Sequence, residues 1–391
     1  MVKFLDDGTI IIREFNFTSS EQVCLTAVGD ICLATGVKKY LKEKGGIFPF
    51  IHCQEELKET DILFGNLEMV ICKNKNYSLS SKLDMCVPAN LCTGLVNVGF
   101  DILNLANNHI LDFGSQTVED TISFLNKSNI QFIGYGKNLE DAWTHRIIEK
   151  KGIKIGFFGI SDNWGQGAHK NKPGVAIYDK KKALYKVKEL KKIVDHVIVS
   201  IHADLEFANY PDPERIQFSR KLIDYGASLI LEHHPHVPQG IEVYKNGLII
   251  YSLGNFIFDV EGSEYLKKGS KYTNISFILK VFLDKNGPIQ AKILPIKINK
   301  YGQPVLLTGF KAREVINHIW KLSQGIKDNN LLWQEWYKTC CKHLKRELWW
   351  LIYAFLNHGF FSFLKRLLYA VKTADSHRYL GGLVFYTFRK I

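Results

Sequence analysis

Leu229-Ile-Leu-Glu-His-His-Pro-His-Val-Pro-Gln239 places a short apolar run directly ahead of three histidines in four positions. The run has the length and composition of a buried strand. Pro235 stiffens the backbone between His234 and His236, and Pro238 follows two residues on. Imidazoles fixed on the segment leaving a strand are well placed to share a metal ion, because neutral histidine is the commonest protein ligand for metals. The plainer alternative is a surface turn that happens to be rich in histidine. The remaining ligands must come from elsewhere in the chain.

One design recurs along the sequence. Val23-Cys-Leu-Thr-Ala-Val-Gly-Asp30, Asp61-Ile-Leu-Phe-Gly-Asn-Leu-Glu68, Phe100-Asp-Ile-Leu-Asn-Leu-Ala-Asn-Asn-His109 and His196-Val-Ile-Val-Ser-Ile-His202 are each an apolar run ending in polar residues. A further strand is expected over 154–160, and helices over 36–44, 115–127, 180–193 and 212–225. Alternating strands and helices define an α/β architecture, with fully apolar strands buried on both faces. Working residues in such sheets gather beyond the carboxyl ends of the strands. That rule brings Asp30, Glu68, Asn108, His109, His202, His234 and His236 to one rim. After Gln239 the sequence turns β-rich. Residues 247–255, 274–283 and 289–298 are expected to form an antiparallel set, with Asp284-Lys-Asn-Gly287 as a hairpin turn. Residues 2–15 read as another hairpin about Asp7-Gly8.

Carboxylates, an amide and imidazoles at one rim are the donor mixture that two neighbouring divalent cations require, and such a pair activates water for attack on an ester or amide. His109 beside a ligand amide could protonate a leaving group. Asp112, three residues on, could orient that imidazole. Each residue also has a plainer role. Asp30 could cap the segment that follows it, Glu68 could be a solvated charge, and His202 could be a lone strand-end histidine. Asn104, Asn107 and Asp112 could shape turns, and for Asn104 and Asn107 the turn role is the better reading.

Six motifs in order resemble the CapA-type proteins of capsule and poly-γ-glutamate synthesis, whose domain is related to the calcineurin-like metallophosphoesterases. They are Gly29-Asp30, Gly65-Asn-Leu-Glu68, Ala106-Asn-Asn-His-x-x-Asp-x-Gly114, His202-x-x-x-Glu206, His233-His-Pro-His-Val-x-Gln239 and Tyr251-Ser-Leu-Gly-Asn-Phe256. The resemblance spans about residues 23–260. It implies a four-layer αββα sandwich with a dimetal site holding two divalent ions (Mn, Fe, Zn or Mg). By the same resemblance Asp30 is the first-strand aspartate and Glu68 the bridging carboxylate. Asn108 is the amide ligand, His109 the catalytic histidine, and His202, His234 and His236 the ligand imidazoles, with His233 a neighbour of undefined role. Three departures are expected to alter the rim. Cys32 replaces a histidine, Ala203 and Asp204 replace an aromatic and a glycine, and Glu232 stands where glycine is usual.

The remaining sequence features bear on organisation and partners. Apolar residues at 46% and charged residues at 23% suit a globular protein rather than a disordered one. The expected division is a hairpin extension over 1–22, a metallophosphoesterase-like domain over 23–310 and a basic, aromatic-rich helical region over 311–391. That last region holds +9 of the net +12 charge. Leu348-Trp-Trp-Leu-Ile-Tyr-Ala-Phe-Leu356 within it is too short for a membrane span. The favoured reading packs this aromatic helix on the core; the other lays it on an anionic membrane. Charge without a recognised motif argues against nucleic acid. No cysteines form a Cys-x-x-Cys pair, several sit inside apolar strands where a free thiol behaves as a small hydrophobe, and no secretory signal is visible. The expected home is a reducing cytoplasm, with peripheral contact at the inner face of the membrane as an extension of it. Two functions stand against each other. One is a metal-dependent hydrolase of phosphoesters or of an anionic polymer. The other is a non-catalytic component of a capsule assembly, in contact with other capsule-synthesis proteins, with the altered rim slightly favouring it.

Overall fold

The apolar runs that end in candidate ligands form parallel strands of two sheets. The computed structural model describes residues 3–13, 22–73, 84–162, 164–372 and 378–383. In the first sheet Val23–Ile31, Ile62–Leu67, Ile102–Asn104 and Gln131–Ile133 lie side by side in parallel. On the other flank of Val23–Ile31 the sheet continues antiparallel through Ile275–Asp284, Gly287–Ile298, Thr9–Ile11 and Lys3–Phe4. In the second sheet Ile153–Ser161, His196–His202, Leu229–His233 and Gly247–Ile250 run parallel. Arg146–Lys150 and Ile241–Tyr244 close its edges antiparallel.

Alternation along these strands builds the layers, because successive side chains leave a strand on opposite faces. Leu25, Ala27 and Phe64 of the first sheet meet Phe157, Ile198, Leu229 and Leu231 of the second. The rings of Phe64 and Phe157 stack at 6.3 Å between the sheets. The outer face of the first sheet, with Val28, Leu63 and Leu103, is covered by Val37 and Leu41 of helix Thr35–Lys44 and by Val118 and Leu125 of helix Ser115–Lys127. The outer face of the second, with Val197, Val199 and Ile230, is covered by helices Lys180–Leu190 and Pro213–Asp224. The result is the expected helix–sheet–sheet–helix sandwich.

Three expectations change. The strand foreseen over 247–255 is two strands in different sheets. Gly247–Ile250 pairs parallel with Leu229–His233, while Asn255–Ile257 pairs with Val23–Ile31. The chain crosses between them at Gly254, whose φ of 75° suits only glycine well. Its carbonyl accepts from Asp30 N at 3.0 Å. A Cβ on Gly29 would stand 1.9 Å from that same oxygen, so Gly29 is required by the close approach of the two backbones. An apolar run alone does not reveal that crossing.

The second change concerns the cysteines. Cys72 and Cys86 form a disulfide beside the short parallel pair Val70–Cys72 and Cys86–Pro88. Cys24, Cys32, Cys53, Cys92, Cys340 and Cys341 are free thiols. A spacing of 14 residues between scattered cysteines carries no motif, so the pair was not visible in the sequence. No described helix is long and apolar enough to cross a membrane.

The third change concerns the C-terminal region. Helix Gly309–Gly325 lays Val315, Ile316 and Ile319 on the core between the sheets. The next helical stretch, Asn329–Lys372, bends at Gly359, where φ is 75°. Its first turns are anchored, with Trp336 and Cys340 clustered on Leu205, Ala208 and Tyr379. Its aromatic middle is not packed on the core: Trp349 is 56% exposed and Phe361 86%. Residues 14–21 of the expected N-terminal extension and residues 384–391 lie outside the described residues.

Candidate metal centre

Because the ligand-bearing strands are parallel within each sheet, their carboxyl ends share an edge. Asp30 is the penultimate residue of Val23–Ile31, and Glu68 directly follows Ile62–Leu67. Asn108 and His109 lie in the turn after Ile102–Asn104. His202 ends its strand, and His234 and His236 follow Leu229–His233. His234 and His236 adopt φ of 101° and 58°. Such backbone costs about 1–3 kcal/mol per residue outside glycine and persists where surrounding contacts over-determine it. The contacts are present: Phe207 N donates to Pro235 O at 2.8 Å and Gln239 N to Ser252 O at 3.1 Å. The strained turn sets the two imidazoles 6.0 Å apart.

Asp30, Glu68 and His236 are buried, and one ligand atom from each lies within 4.8 Å of the others. His236 Nδ1 is 3.6 Å from Asp30 Oδ2, and His236 Nε2 is 3.7 Å from Glu68 Oε1. Both Glu68 oxygens, Asp30 Oδ2 and His234 Nδ1 are buried without a hydrogen-bond partner. Leaving a buried polar atom unpaired costs about 1–3 kcal/mol, more where it is charged. Burial, and then the charge of Asp30, push the Glu68 carboxyl well above its usual range. Burial also acts to raise Asp30, but hydrogen bonding to and charge on His233 outweigh it and hold Asp30 low. Two carboxylates set this close, with unpaired oxygens facing imidazoles, form a cradle for cations and a poor resting place for anything else.

A second group lies beside the first. His202 Nε2 is 2.8 Å from Asn108 Oδ1, and the His202 ring is 4.8 Å from that of His234. Burial, reinforced by the neighbouring histidines, lowers His202 far below its ordinary value, and burial lowers His234 as well. Both rings are therefore held neutral, the form that binds metals. His109 stands at the mouth. Its Nδ1 is 2.7 Å from Asp112 Oδ2 and its Nε2 is 3.8 Å from Glu68 Oε1. Asn107 does shape the turn, donating to Leu67 O at 2.8 Å and accepting from His109 N at 3.1 Å.

Several residues around the centre escaped the sequence reading. Asn66 Nδ2 donates to Asp30 Oδ1 at 2.8 Å and lies 3.2 Å from His202 Nδ1. Asn104 fixes the orientation of that amide, donating to Asn66 Oδ1 at 2.9 Å, so Asn104 does more than shape a turn. Period-two alternation places Asn66 on the same side of its strand as Glu68, a signal present in Gly65-Asn-Leu-Glu68. Asn255 Oδ1 is 2.8 Å from His236 Nδ1, and Glu206 Oε1 is 3.9 Å from His236 Nε2. His233 lies deeper than expected of a mere neighbour, with Nδ1 3.3 Å from Asp30 Oδ1.

Two of the departures expected to alter the rim point elsewhere. Glu232 precedes His233 on a strand, so it faces the outer helix layer. There its Oε2 is 2.6 Å from Arg215 Nη1, and Ser219 Oγ donates to its Oε1 at 2.7 Å. Asp204 Oδ2 is 2.6 Å from Arg215 Nη2. The two acids share one buried arginine, an arrangement that separation in sequence hid. Cys32 packs among the apolar residues beneath the helices, with its sulfur 3.8 Å from Met85 Sδ.

Residues 24–260 match the family described as "Bacterial capsule synthesis protein PGA_cap". The chain belongs to this capsule synthesis family. A PGA_cap relative, "PGA biosynthesis protein CapA" of Bacillus subtilis, is 32% identical over 339 residues, covering 85% of this chain and 86% of that protein. "Capsule biosynthesis protein CapA" of Bacillus anthracis is 32% identical over 298 residues, covering 74% of this chain and 70% of its own length. Among solved structures, a hypothetical protein from Thermus thermophilus aligns with a TM-score of 0.43 at 14% identity, over 70% of this chain and 99% of that one. A 5'-nucleotidase from Candida albicans aligns with a TM-score of 0.39 at 13% identity, over 80% of this chain and 60% of that one.

In this PGA_cap chain the C-terminal helix reaches the rim. His343 Nε2 donates to Glu206 O at 3.0 Å, while its Nδ1 faces Arg346 Nη2 at 3.0 Å. Burial, and then the Arg346 charge, lower His343 to about 4. An imidazole lowered in the folded state stabilises it fully above the unfolded value near 6.5 and progressively less as pH falls toward 4. Taking the chain from pH 7 to 4 should therefore cost this contact about 3 kcal/mol. Hydrogen exchange over residues 329–347 should accelerate in that window, and His343→Gln should remove the acceleration.

Proposed function

We propose that this chain is a metal-dependent hydrolase acting in the synthesis of capsule or poly-γ-glutamate polymers. The observation that carries the reading is the buried, unpaired Glu68 carboxylate set between Asp30 and His236. Asp30, Glu68, Asn108, His202, His234 and His236 would hold two divalent cations. Oxygen and imidazole donors of this kind suit Mn, Fe, Zn or Mg. When bound, such cations supply a water nucleophile at neutral pH and charge stabilisation for the developing oxyanion.

The protein's own groups do the rest. Asn66 and Asn255 fix Asp30 and His236 through hydrogen bonds, so neither ligand must reorganise when charge develops. Asp112 holds His109 Nδ1, which leaves Nε2 facing the Glu68 side of the rim and able to deliver a proton to a leaving oxygen or nitrogen. The substrate class that suits the reading is a phosphoester or a bond within an anionic polymer. The non-catalytic alternative draws on a rim altered at Ala203, Asp204 and Glu232; of these, Asp204 and Glu232 meet Arg215, which leaves Ala203 as the departure that bears on it.

The test pairs binding with turnover. Protein purified without chelator should retain divalent metal and hydrolyse a simple phosphodiester. Asp30→Ala and His236→Ala should lose both, and variants with full metal and full activity would defeat the reading.

A further inference from the structure

From Gly359 the two arms of the C-terminal helical stretch run back alongside each other. Phe355 and Phe363 face across the bend with ring centroids 5.9 Å apart, and Arg366 Nη2 meets both Glu347 oxygens at 2.7–2.8 Å. The hairpin is rooted beside the metal centre, where Arg346 Nη1 donates to Tyr265 Oη at 2.9 Å and lies 3.7 Å from Glu206 Oε2. Beyond that root most of its side chains are apolar and exposed. Leu356 is 73% exposed and Phe361 86%, and Trp349, Trp350, Ile352 and Phe360 are each more than 40% exposed.

We propose that this hairpin inserts into the interface of an anionic phospholipid bilayer and holds the metal centre over the membrane surface. Three features select a lipid phase over a protein partner. First, exposure covers most of the circumference of the helix, with only a narrow stripe at Leu351 and Ala354 covered. Leu348, Trp349 and Trp350 are successive residues, each 100° further round, and all are exposed. A protein groove covers one face of a helix, whereas acyl chains surround it. Second, the residue types are graded along the arm. Lys342, Lys345 and Arg346 come first, then Trp349, Trp350 and Tyr353, then Phe355, Leu356, Phe360 and Phe361 at the bend. That order matches phosphate groups, the headgroup boundary and the acyl region in turn. Third, the charge suits the surface. No acidic residue occurs from Leu348 to Ala374, and Lys365 and Arg366 return the chain to the basic level.

The dimensions fit one leaflet. The apolar arm from Leu348 to Leu356 is about 14 Å long at 1.5 Å per residue, close to half of a hydrocarbon core of about 30 Å. Of the two polar side chains at the bend, Asn357 donates to Tyr353 O at 3.0 Å, and the His358 ring meets the Tyr353 ring edge-on at 5.9 Å.

The experiment is sedimentation of the full-length chain with vesicles of phosphatidylcholine alone and of phosphatidylcholine with about one-third phosphatidylglycerol, a mixture chosen to present anionic headgroups. Binding to the anionic vesicles is expected, weakened in high salt. The double variant Leu356→Glu/Phe361→Glu should bind about tenfold or more weakly, since two charges now enter the acyl region. Both positions are exposed, so the variant should unfold at the wild-type midpoint. Wild-type fluorescence should shift to the blue on binding, and Trp349→Phe/Trp350→Phe should remove most of the shift. Equal sedimentation of wild type and the double variant would overturn the proposal. So would a vesicle-free dimer that the double variant abolishes while lipid binding is absent, since that would assign the hairpin to a second copy of the chain.

Discussion

His109→Ala should lower phosphodiester hydrolysis by about 100- to 10,000-fold, the usual contribution of a positioned general acid, while leaving bound metal unchanged. The expectation rests on where the ring stands. Its Nδ1 is tied to Asp112 at 2.7 Å and its Nε2 is 3.8 Å from the Glu68 carboxylate, at the mouth of the cradle rather than within the unpaired donor set. Removing it should therefore cost proton delivery and not cation binding. A substrate with a good leaving group needs little protonation, so the defect should shrink for a nitrophenyl ester and widen for an alkyl ester. Asp112→Asn removes only the orienting charge and should cost about 10- to 100-fold. Steady-state rates on the two esters, with metal content measured on the same samples, separate these roles from simple misfolding.

Arg215→Met should destabilise the fold by about 3–5 kcal/mol, the usual cost of removing one partner from a buried ion pair. Arg215 is 1% exposed, and the Asp204 and Glu232 carboxylates it meets are fully buried. It also donates to Ala203 O at 2.9 Å, tying the segment after His202 to helix Pro213–Asp224. Without it the two buried carboxylates keep only the weaker influence of Arg378 against their charge. Burial already raises Glu232 to about 7 with the arginine in place. Denaturant unfolding followed by far-ultraviolet dichroism reads the loss directly. Adding Asp204→Asn and Glu232→Gln to Arg215→Met should recover part of it, because amides tolerate the same burial at far lower cost.

The layers and the gathering of strand-end polar residues at one edge were legible because they follow from periodicity. Continuous apolar runs marked the buried strands, and polar residues at their carboxyl ends marked the rim, since parallel neighbours finish at one edge. What periodicity does not encode was missed. Gly254 carries the chain from one sheet to the other, and only the 3.0 Å bond from Asp30 N to its carbonyl reveals why Gly29 and Gly254 occur where they do. Arg215, Asp204 and Glu232 are far apart in sequence, so their mutual neutralisation looked like damage to the rim. The Cys72–Cys86 pair lacks any spacing signature. Trp349 and its neighbours were read as a packing face because apolar helix faces usually pack. Asn66 was within reach, two residues before Glu68 on the same strand.

Elemental analysis of the chain purified without chelators tests the central claim most directly. About two divalent ions per chain are expected, the number a dimetal hydrolase uses. Asp30→Ala and His236→Ala should each lose most of that metal. Glu232→Gln, altered on the far face of the strand, should keep all of it. A wild-type protein free of metal, or Asp30→Ala and His236→Ala variants binding as much as wild type, would contradict the account.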